Sequence, residues 1–521
     1  MFGPSRQHRE ERTKLTELSA FPLPFSASAH AQEPRTLGEI QMMRCSAHIR
    51  EKPEWYVKKD DAEVTARWTR EAVDQGLTEA RIRYVLAELA HYAELRDGRT
   101  GIEVSAVDGV WKSDSLVEDE LRDRLREAVR VLEEVPEEDK DWHPGSDGQV
   151  LDLVHPSLFC LVRDVSGGPE RAWEKPRNRP SSSYYGSTRP GYEFSDRFQW
   201  LPTDVAVGDD GDVTFRSYVN NVHPERHREL ADVLPELFAR VRPLFERVLT
   251  GLRHPRPPRI EADPWSWYRD EDGNGEPVWP GNEDQEALKA WSEAYDAWHE
   301  NRTPVIPDPP EFAPPAAPDE SDRVDLCGRD LQVIVKLATI HLTPEKPEYA
   351  GGSWHVEGML NERIVSTCLY YWDNENITES RLGFRTAVDE PEYEQNDDEG
   401  VRAVYGLENE GPLNQELGSA GTPAGRCLAF PNVLQHRVAP FRLADPTRAG
   451  HRKILAFFLV DPSERIVSTS DVPPQQPWAD TSTMTLEEAK SYREELMKER
   501  KFFVDEHNQE VYEREFSLCE H

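Results

Sequence analysis

Two short stretches in the last third of the chain carry side chains able to hold a metal. Gly351-Gly352-Ser353-Trp354-His355-Val356-Glu357 places a histidine and a carboxylate two residues apart. Leu434-Gln435-His436-Arg437-Val438-Ala439-Pro440 supplies a second histidine, and Arg452 opens an apolar, strand-like run that ends at Val460. Two neutral imidazoles and one carboxylate suit Fe(II), and such a set leaves coordination positions open for O2 and a cosubstrate. Alternate residues of a strand share a face, so His355 and Glu357 can aim at one point while Trp354 and Val356 turn into packing. An HxE with a distant histidine is weak by itself, because most histidines are surface groups or satisfied core residues.

Arg452 strengthens the pattern. A guanidinium entering an apolar strand is costly to bury alone. Facing inward, it is a bidentate receptor for the far carboxylate of a dicarboxylic cosubstrate. Lys453 must then point to the opposite face. The plainer alternative is an arginine at the solvent end of a strand, paired with one of many acids.

These residues need strands to hold them. Leu331–Leu342 reads as a buried strand, and 363–372, 381–386, 426–430, 433–438 and 452–460 are further candidates. The expected fold class is therefore α+β: a double-stranded β-helix (jelly-roll, cupin-like) core with a largely helical N-terminal region. Apolar residues three and four apart predict helices over 62–76, 81–95 with a start near Thr78, 116–132 behind a cap at Ser113 or Ser115, 225–251 and 283–301, and a capped helix over 483–500. The expected organisation is a flexible tail (1–35), a mainly helical region with some strands (36–254), and an acidic Pro/Trp-rich crossing (255–323). The double-stranded β-helix core (324–475) and a C-terminal helix and tail (476–521) follow. The tryptophans of the crossing, Trp265, Trp267, Trp279, Trp291 and Trp298, argue that it lies against the body. Residues 175–192 form a locally basic loop.

Composition sets limits. The 521 residues carry a formal charge of −36, which repels phosphate backbones and anionic lipid headgroups, so nucleic-acid and membrane partners are not expected. Six cysteines without a CxxC pair fit neither a zinc cluster nor a disulfide framework. Reduced thiols, no continuous apolar stretch near Met1 and no long apolar run point to a cytoplasmic protein. A Gly-rich phosphate loop and a GxSxG elbow are both missing from the sequence.

Other candidates are secondary. Ser366, Thr367, Tyr370 and Tyr371 lie on the strand after the HxE, one face of which should line the cavity; Thr367 and Tyr371 are taken as cosubstrate contacts. Asn361 either orients a ligand or caps a turn. Lys336 and His341 are placed at strand edges, and His143 and His155, among Pro and Gly, are read as structural.

The run His436-Arg437-Val438-Ala439-Pro440-Phe441 leading to Gly450-His451-Arg452 resembles the distal half of the 2-oxoglutarate/Fe(II) oxygenase signature. More specifically, the chain resembles the family catalogued as domain of unknown function 4246 from about Arg35 to its end. The stretches 142–147, 154–158, 332–349, 351–361, 375–380, 430–436 and 450–462 carry that likeness. The resemblance implies a double-stranded β-helix core with an added helical part, and it gives no reaction. In enzymes of the wider superfamily it resembles, His355, Glu357 and His436 would bind Fe(II), and Arg452 would hold the far carboxylate of 2-oxoglutarate. O2 would be consumed with release of CO2 and succinate, and a C–H bond of a small molecule or protein side chain would be hydroxylated. Glu357 stands where aspartate is usual, and its longer side chain shifts the metal. Two other readings stay open: a cupin-like metal-binding scaffold without turnover, and a non-oxygenase metalloenzyme, such as an isomerase, using the same ligands. The oligomeric state is not legible.

Overall fold

A computed structural model of the chain describes residues 20–25, 31–174, 193–269, 276–281, 284–395 and 397–518. Its main helices are α1 (Leu37–Arg50), α2 (Ala62–Asp74), α3 (Glu79–Leu95), α4 (Asp119–Glu133), α5 (Arg228–Arg253), α6 (Gln285–Asn301), α7 (Asp398–Tyr405) and α8 (Leu486–His507). The strands that build its two main sheets are β1 (Glu103–Val104), β2 (Trp111–Ser113), β3 (Val150–Val154), β4 (Thr203–Val207), β5 (Val213–Phe215) and β6 (Asp330–Leu342). They continue with β7 (Ile364–Glu375), β8 (Arg381–Ala387), β9 (Asn414–Gly421), β10 (Cys427–Pro431), β11 (Gln435–Val438) and β12 (Gly450–Val460).

Local chemistry sets several of these boundaries. The Thr78 hydroxyl accepts from the Arg81 N–H at the start of α3, and Thr485 with Glu488 forms a capping box on α8. Helix α4 starts later than its periodicity suggests. Glu118 occupies the cap position without a side-chain bond, while the hydroxyls of Ser113 and Ser115 both donate to the Thr100 carbonyl. Strand β9, Asn414-Gln-Glu-Leu-Gly-Ser-Ala-Gly421, has no β-branched run to announce it; pairing with β8 along its length holds it extended.

The result is a mixed α and β architecture with a large antiparallel sheet. That sheet has nine strands in the order β1-β2-β10-β7-β12-β6-β4-β5, with β3 also on β6. It draws strands from both halves of the chain. A three-stranded sheet, β9-β8-β11, lies against part of it. Leu382, Phe384, Leu417 and Ala420 of the small sheet share a core with Leu369, Tyr371, Phe430 and Phe458 of the large one, and the Phe384 and Phe430 rings are 5.2 Å apart. The opposite face of the large sheet, with Val333, Val335, Leu337, Leu455 and Phe457, packs on the apolar stripe of α5.

The alternation along β6 and β12 thus separates two interiors. Ile334, Lys336, Ala338, Arg452, Ile454, Ala456 and Phe458 share the face toward the small sheet, while Lys453 emerges on the helix side and pairs with Glu133 of α4 at 2.8 Å.

Outside the sheets, the described parts of the N-terminal tail are tied down: the Phe21 N–H donates to Asp461 Oδ2 at 3.1 Å, and Gln32 bridges Val388. The basic 175–192 stretch lies outside the described residues. Of the tryptophans in the crossing, Trp267 is buried and donates to Asp397, whereas Trp265 and Trp279 are exposed. Cys45, Cys160, Cys327, Cys368 and Cys427 are free thiols. Among the described residues no helix is long and apolar enough to cross a membrane.

Phe457 is 1% exposed and meets Phe238 of α5 edge-on at 5.5 Å. Phe457→Ala is expected to lower unfolding free energy by about 3–5 kcal/mol, as measured by urea denaturation.

Candidate metal centre

Backbone pairing brings the HxE segment beside β11. The Gly352 N–H donates to the Val438 carbonyl at 3.0 Å, the His355 N–H to the His436 carbonyl at 3.2 Å, and the His436 N–H back to the His355 carbonyl at 3.0 Å. Gly351 makes this approach possible. Its φ is +92°, and a Cβ there would stand 2.8 Å from the Val438 carbonyl oxygen. Asn432 ties the other end: its Oδ1 accepts from the Glu357 N–H at 2.8 Å, and its Nδ2 donates to the carbonyls of Glu357 and Ile364, both at 2.9 Å.

The structure therefore brings together His355, Glu357 and His436, one ligand atom from each lying within 4.8 Å of the others. Glu357 Oε1 is 3.8 Å from His355 Nε2 and 3.4 Å from His436 Nε2, and the two imidazole rings are 4.3 Å apart. His355 Nδ1 faces the Ser353 carbonyl at 2.8 Å, which assigns the proton to Nδ1 and leaves the Nε2 lone pair turned toward Glu357 and His436. Burial pushes His355 down to about 4, helped by His436 and opposed by Glu357 and the Ser353 carbonyl, so the ring is neutral near pH 7. Burial works against ionisation of Glu357, but the hydrogen bond from His436 and the two imidazoles outweigh it and hold the carboxyl at about 2. A charged carboxylate beside the bare Nε2 of His355 is a donor pair suited to a divalent ion.

Arg452 is fully buried on the face toward the small sheet. Its guanidinium lies over the Tyr371 ring at 4.7 Å, and its Nη2 donates to Thr422 Oγ1 at 3.2 Å. Its Nε and Nη1 have no hydrogen-bond partner, and no carboxylate lies within ion-pair distance among the described residues. Burial lowers its pKa, with the Tyr371 and Tyr349 hydroxyls acting the other way. Thr367 Oγ1 and the Tyr371 hydroxyl are likewise buried without partners. Tyr371 stands against Arg452; Thr367 lies four residues back on β7, opposite Phe458 of β12.

Several placements differ from the sequence-based expectation. Asn361 touches none of the three metal-ligand candidates and instead brackets Ser195, accepting from its N–H and donating to its carbonyl. The residue that steadies the ligand loop is Asn432; the turn-forming Pro431-Asn432 at the end of an apolar strand was its only signal. Lys336 is not at a strand edge: it sits in mid-strand on the inner face of β6, opposite Ala456. Thr422, unremarked in the sequence, supplies the single hydrogen bond to Arg452.

Two further groups have metal-like spacing among the described residues. In the first, His143 Nδ1 bonds Asp152 Oδ2 at 2.8 Å, and the His143 and His155 rings are 5.2 Å apart. His155 Nδ1 accepts the Ser157 N–H at 3.2 Å, so the proton of this neutral ring sits on Nε2. An imidazole in that tautomer offers a donor where a metal needs a lone pair, which makes this a hydrogen-bonded cluster. The second, Glu246, Asp325 and Cys327, is occupied by Arg242, which pairs with Glu246.

The chain belongs to the family described as protein of unknown function (DUF4246), which matches residues 79–482, and the N-terminal domain of that family matches residues 2–71. No curated protein matches. Among solved structures the chain is similar to the selenomethionine-labelled Fe(II)/(alpha)ketoglutarate-dependent dioxygenase TqaL, at 12% identity over 68% of this chain and 94% of that one, with a TM-score of 0.25. It is also similar to IDO from Bacillus thuringiensis (12% identity, 25% of this chain, 46% of that one, TM-score 0.17). A third is the non-heme monooxygenase ThoJ in its nickel complex (10% identity, 34% and 67%, TM-score 0.17). The alignment thus spans less than half the length of the Bacillus thuringiensis protein.

Two outcomes follow from this geometry. Asn432→Ala frees the Glu357 loop and is expected to weaken divalent-metal affinity by about 10–100-fold, read by metal titration with circular dichroism as a folding control. In the metal-free protein, burial holds His155 well below the usual imidazole range and His341 at about 4, with the nearby His451 also lowering the latter. The unfolded chain takes up these protons near pH 6.5 and the folded chain does not, so stability is lost as pH falls from 6.5 toward 4. Melting temperature should drop over that window, and His341→Gln should make the drop shallower.

Proposed function

We propose that the protein is an Fe(II)- and 2-oxoglutarate-dependent dioxygenase, with its two facing sheets forming a double-stranded β-helix and its substrate a small molecule or protein side chain with an unactivated C–H bond. The observation that carries this reading is Arg452: a fully buried guanidinium with two unpartnered nitrogens, in a structure that also groups a His/Glu/His triad. A buried cation without a counter-charge is strongly destabilising, so its retention argues for an anion that arrives from outside. The far carboxylate of a dicarboxylic cosubstrate meets that need with bidentate geometry.

In this reading His355, Glu357 and His436 hold the iron, and their grouping leaves the remaining coordination positions for the keto-acid end of 2-oxoglutarate and for O2. The bound metal and cosubstrate supply the oxidising chemistry. The protein's own part is positional. The Ser353 carbonyl fixes the His355 tautomer, and Asn432 fixes the Glu357 backbone. Arg452 and Thr422, with Thr367 and Tyr371 as further polar contacts, orient the cosubstrate, and Phe430 and Phe384 keep that region apolar. The inward, unpaired state of Arg452 speaks against a scaffold role, in which a solvent-facing or acid-paired arginine would serve equally well.

Anaerobic addition of Fe(II) and 2-oxoglutarate is expected to give a visible metal-to-ligand charge-transfer band. His436→Ala should abolish the band. Arg452→Leu should raise the 2-oxoglutarate concentration for half-saturation by about 10–100-fold while iron binding persists. A wild-type protein that binds iron but shows no band would overturn the reading.

A further inference from the structure

Lys336 is a second cation on the inner face of the large sheet that forms no ion pair among the described residues. Its neighbours in register are apolar: Ala456 lies opposite on β12, and Ile334 and Ala338 flank it on the same face of β6. On the other edge of β6, Leu337 pairs with Val154 and Ala338 with Asp152, which puts His155 and Asp152 beside Lys336 along β3. Its side chain is half-buried, and among the described residues its ammonium makes no hydrogen bond and has no carboxylate within ion-pair distance. Other cations around these sheets are matched: Arg381 pairs with Glu51, Arg385 with Glu513, Arg426 with Asp114, Arg493 with Asp141 and Arg500 with Glu362. Lys336 and Arg452 are the inward-facing exceptions on β6 and β12.

Strand register ties Lys336 to both clusters. Ile334, the next inward residue of β6, pairs with Phe458 of β12, which pairs with Thr367 of β7; Thr367 in turn lies opposite Phe430 of β10, whose ring is 4.8 Å from that of His436. Toward the other edge, β3 brings Asp152 of the His143/Asp152/His155 cluster opposite Ala338. That cluster adds a directed donor, because the tautomer of His155 places its proton on Nε2. Asp152 keeps a buried Oδ1 without a partner, while its Oδ2 is taken by His143.

We infer that Lys336 is a specificity-determining residue that receives an anionic group, carboxylate or phosphate, of the primary substrate, with the β3 cluster forming the adjoining wall. The inference rests on the reading of His355, Glu357 and His436 as the reacting centre. If Arg452 is satisfied by the cosubstrate, it is not available to the substrate, and the two unpaired cations call for two separate anions. A chain of net charge −36 has no general attraction for anions, so a substrate of that sign needs a local cation to hold it. An ammonium on a flexible stem suits either oxyanion, since it acts as a point charge without the planar selectivity of a guanidinium.

The test is a binding measurement on the full chain with matched probes. These are hexanoate against hexanamide, N-acetylleucine against its amide, and hexyl phosphate against hexanol, read by ligand-observed NMR. In wild type, at least one anion is expected to bind about tenfold or more tightly than its neutral partner. Lys336→Met should erase that preference and leave the neutral probe unchanged, and Lys336→Arg should retain it, with melting temperatures confirming that both fold. The preference should also survive in Arg452→Leu, which separates this subsite from the cosubstrate anchor. Carboxylate and phosphate arms identify which oxyanion is favoured. An absence of anion preference across the panel, its persistence in Lys336→Met, or its loss in Arg452→Leu overturns the inference. A charge-transfer band without anion preference would leave the dioxygenase reading standing and remove this one. Anion preference without the band would do the reverse.

Discussion

The reciprocal pair of backbone hydrogen bonds between His355 and His436 is the constraint on which the centre depends. It joins a loop that belongs to no sheet to the edge of the small sheet, and it fixes two imidazoles at one height. Once that bridge forms, the two-residue step from His355 to Glu357 delivers the carboxylate to the same point. Gly351 permits the approach, because any larger residue would collide with the Val438 carbonyl. Asn432 then closes the loop from the large-sheet side. The triad is thus held by backbone hydrogen bonds to the small sheet and by the Asn432 side chain on the large-sheet side.

The second governing feature is the electrostatics of the space between the sheets. Most buried or half-buried arginines in the chain hold a carboxylate, as expected where desolvation makes a lone charge expensive. Arg452 and Lys336 depart from this rule on neighbouring strands of the large sheet. Their strand positions explain why they cannot reach the abundant surface acids: β-alternation turns both inward, while Lys453, one residue along from Arg452, reaches Glu133 on the helical side. Neither of the two inward cations has a carboxylate within ion-pair distance among the described residues.

Histidine tautomers separate the two imidazole clusters. His355 gives its Nδ1 proton to a carbonyl and presents a bare Nε2, whereas His155 uses Nδ1 as an acceptor and presents N–H. Ligand spacing alone makes the two sets look equivalent. The direction of one backbone hydrogen bond in each sets whether the ring presents a lone pair, as His355 does, or a proton, as His155 does.

The grouping of His355, Glu357 and His436 at the candidate site was legible in the amino-acid order. The HxE spacing, the isolated His436 and the charged opening of an apolar strand at Arg452 are local patterns, and β-periodicity fixes which of Arg452 and Lys453 shares a face with its neighbours. Helices α2, α3 and α8 were equally readable, since periodicity and caps are short-range. Folding alone decided what depends on distant partners. Strand β9 is extended through its pairing with β8, the cap expected of Ser113 or Ser115 was lost to the Thr100 carbonyl, and Asn432 in place of Asn361 holds the ligand loop. The same holds for Lys336. A lysine in a strand reads as an edge residue because solvation is cheap there, and only the pairing of β6 with β12 and β3 on its two sides shows that it lies half-buried in mid-strand. Sequence determines which groups can do chemistry and which face of an element they occupy; whether that face meets water, a carboxylate or an empty interior is set by contacts between segments far apart in the chain.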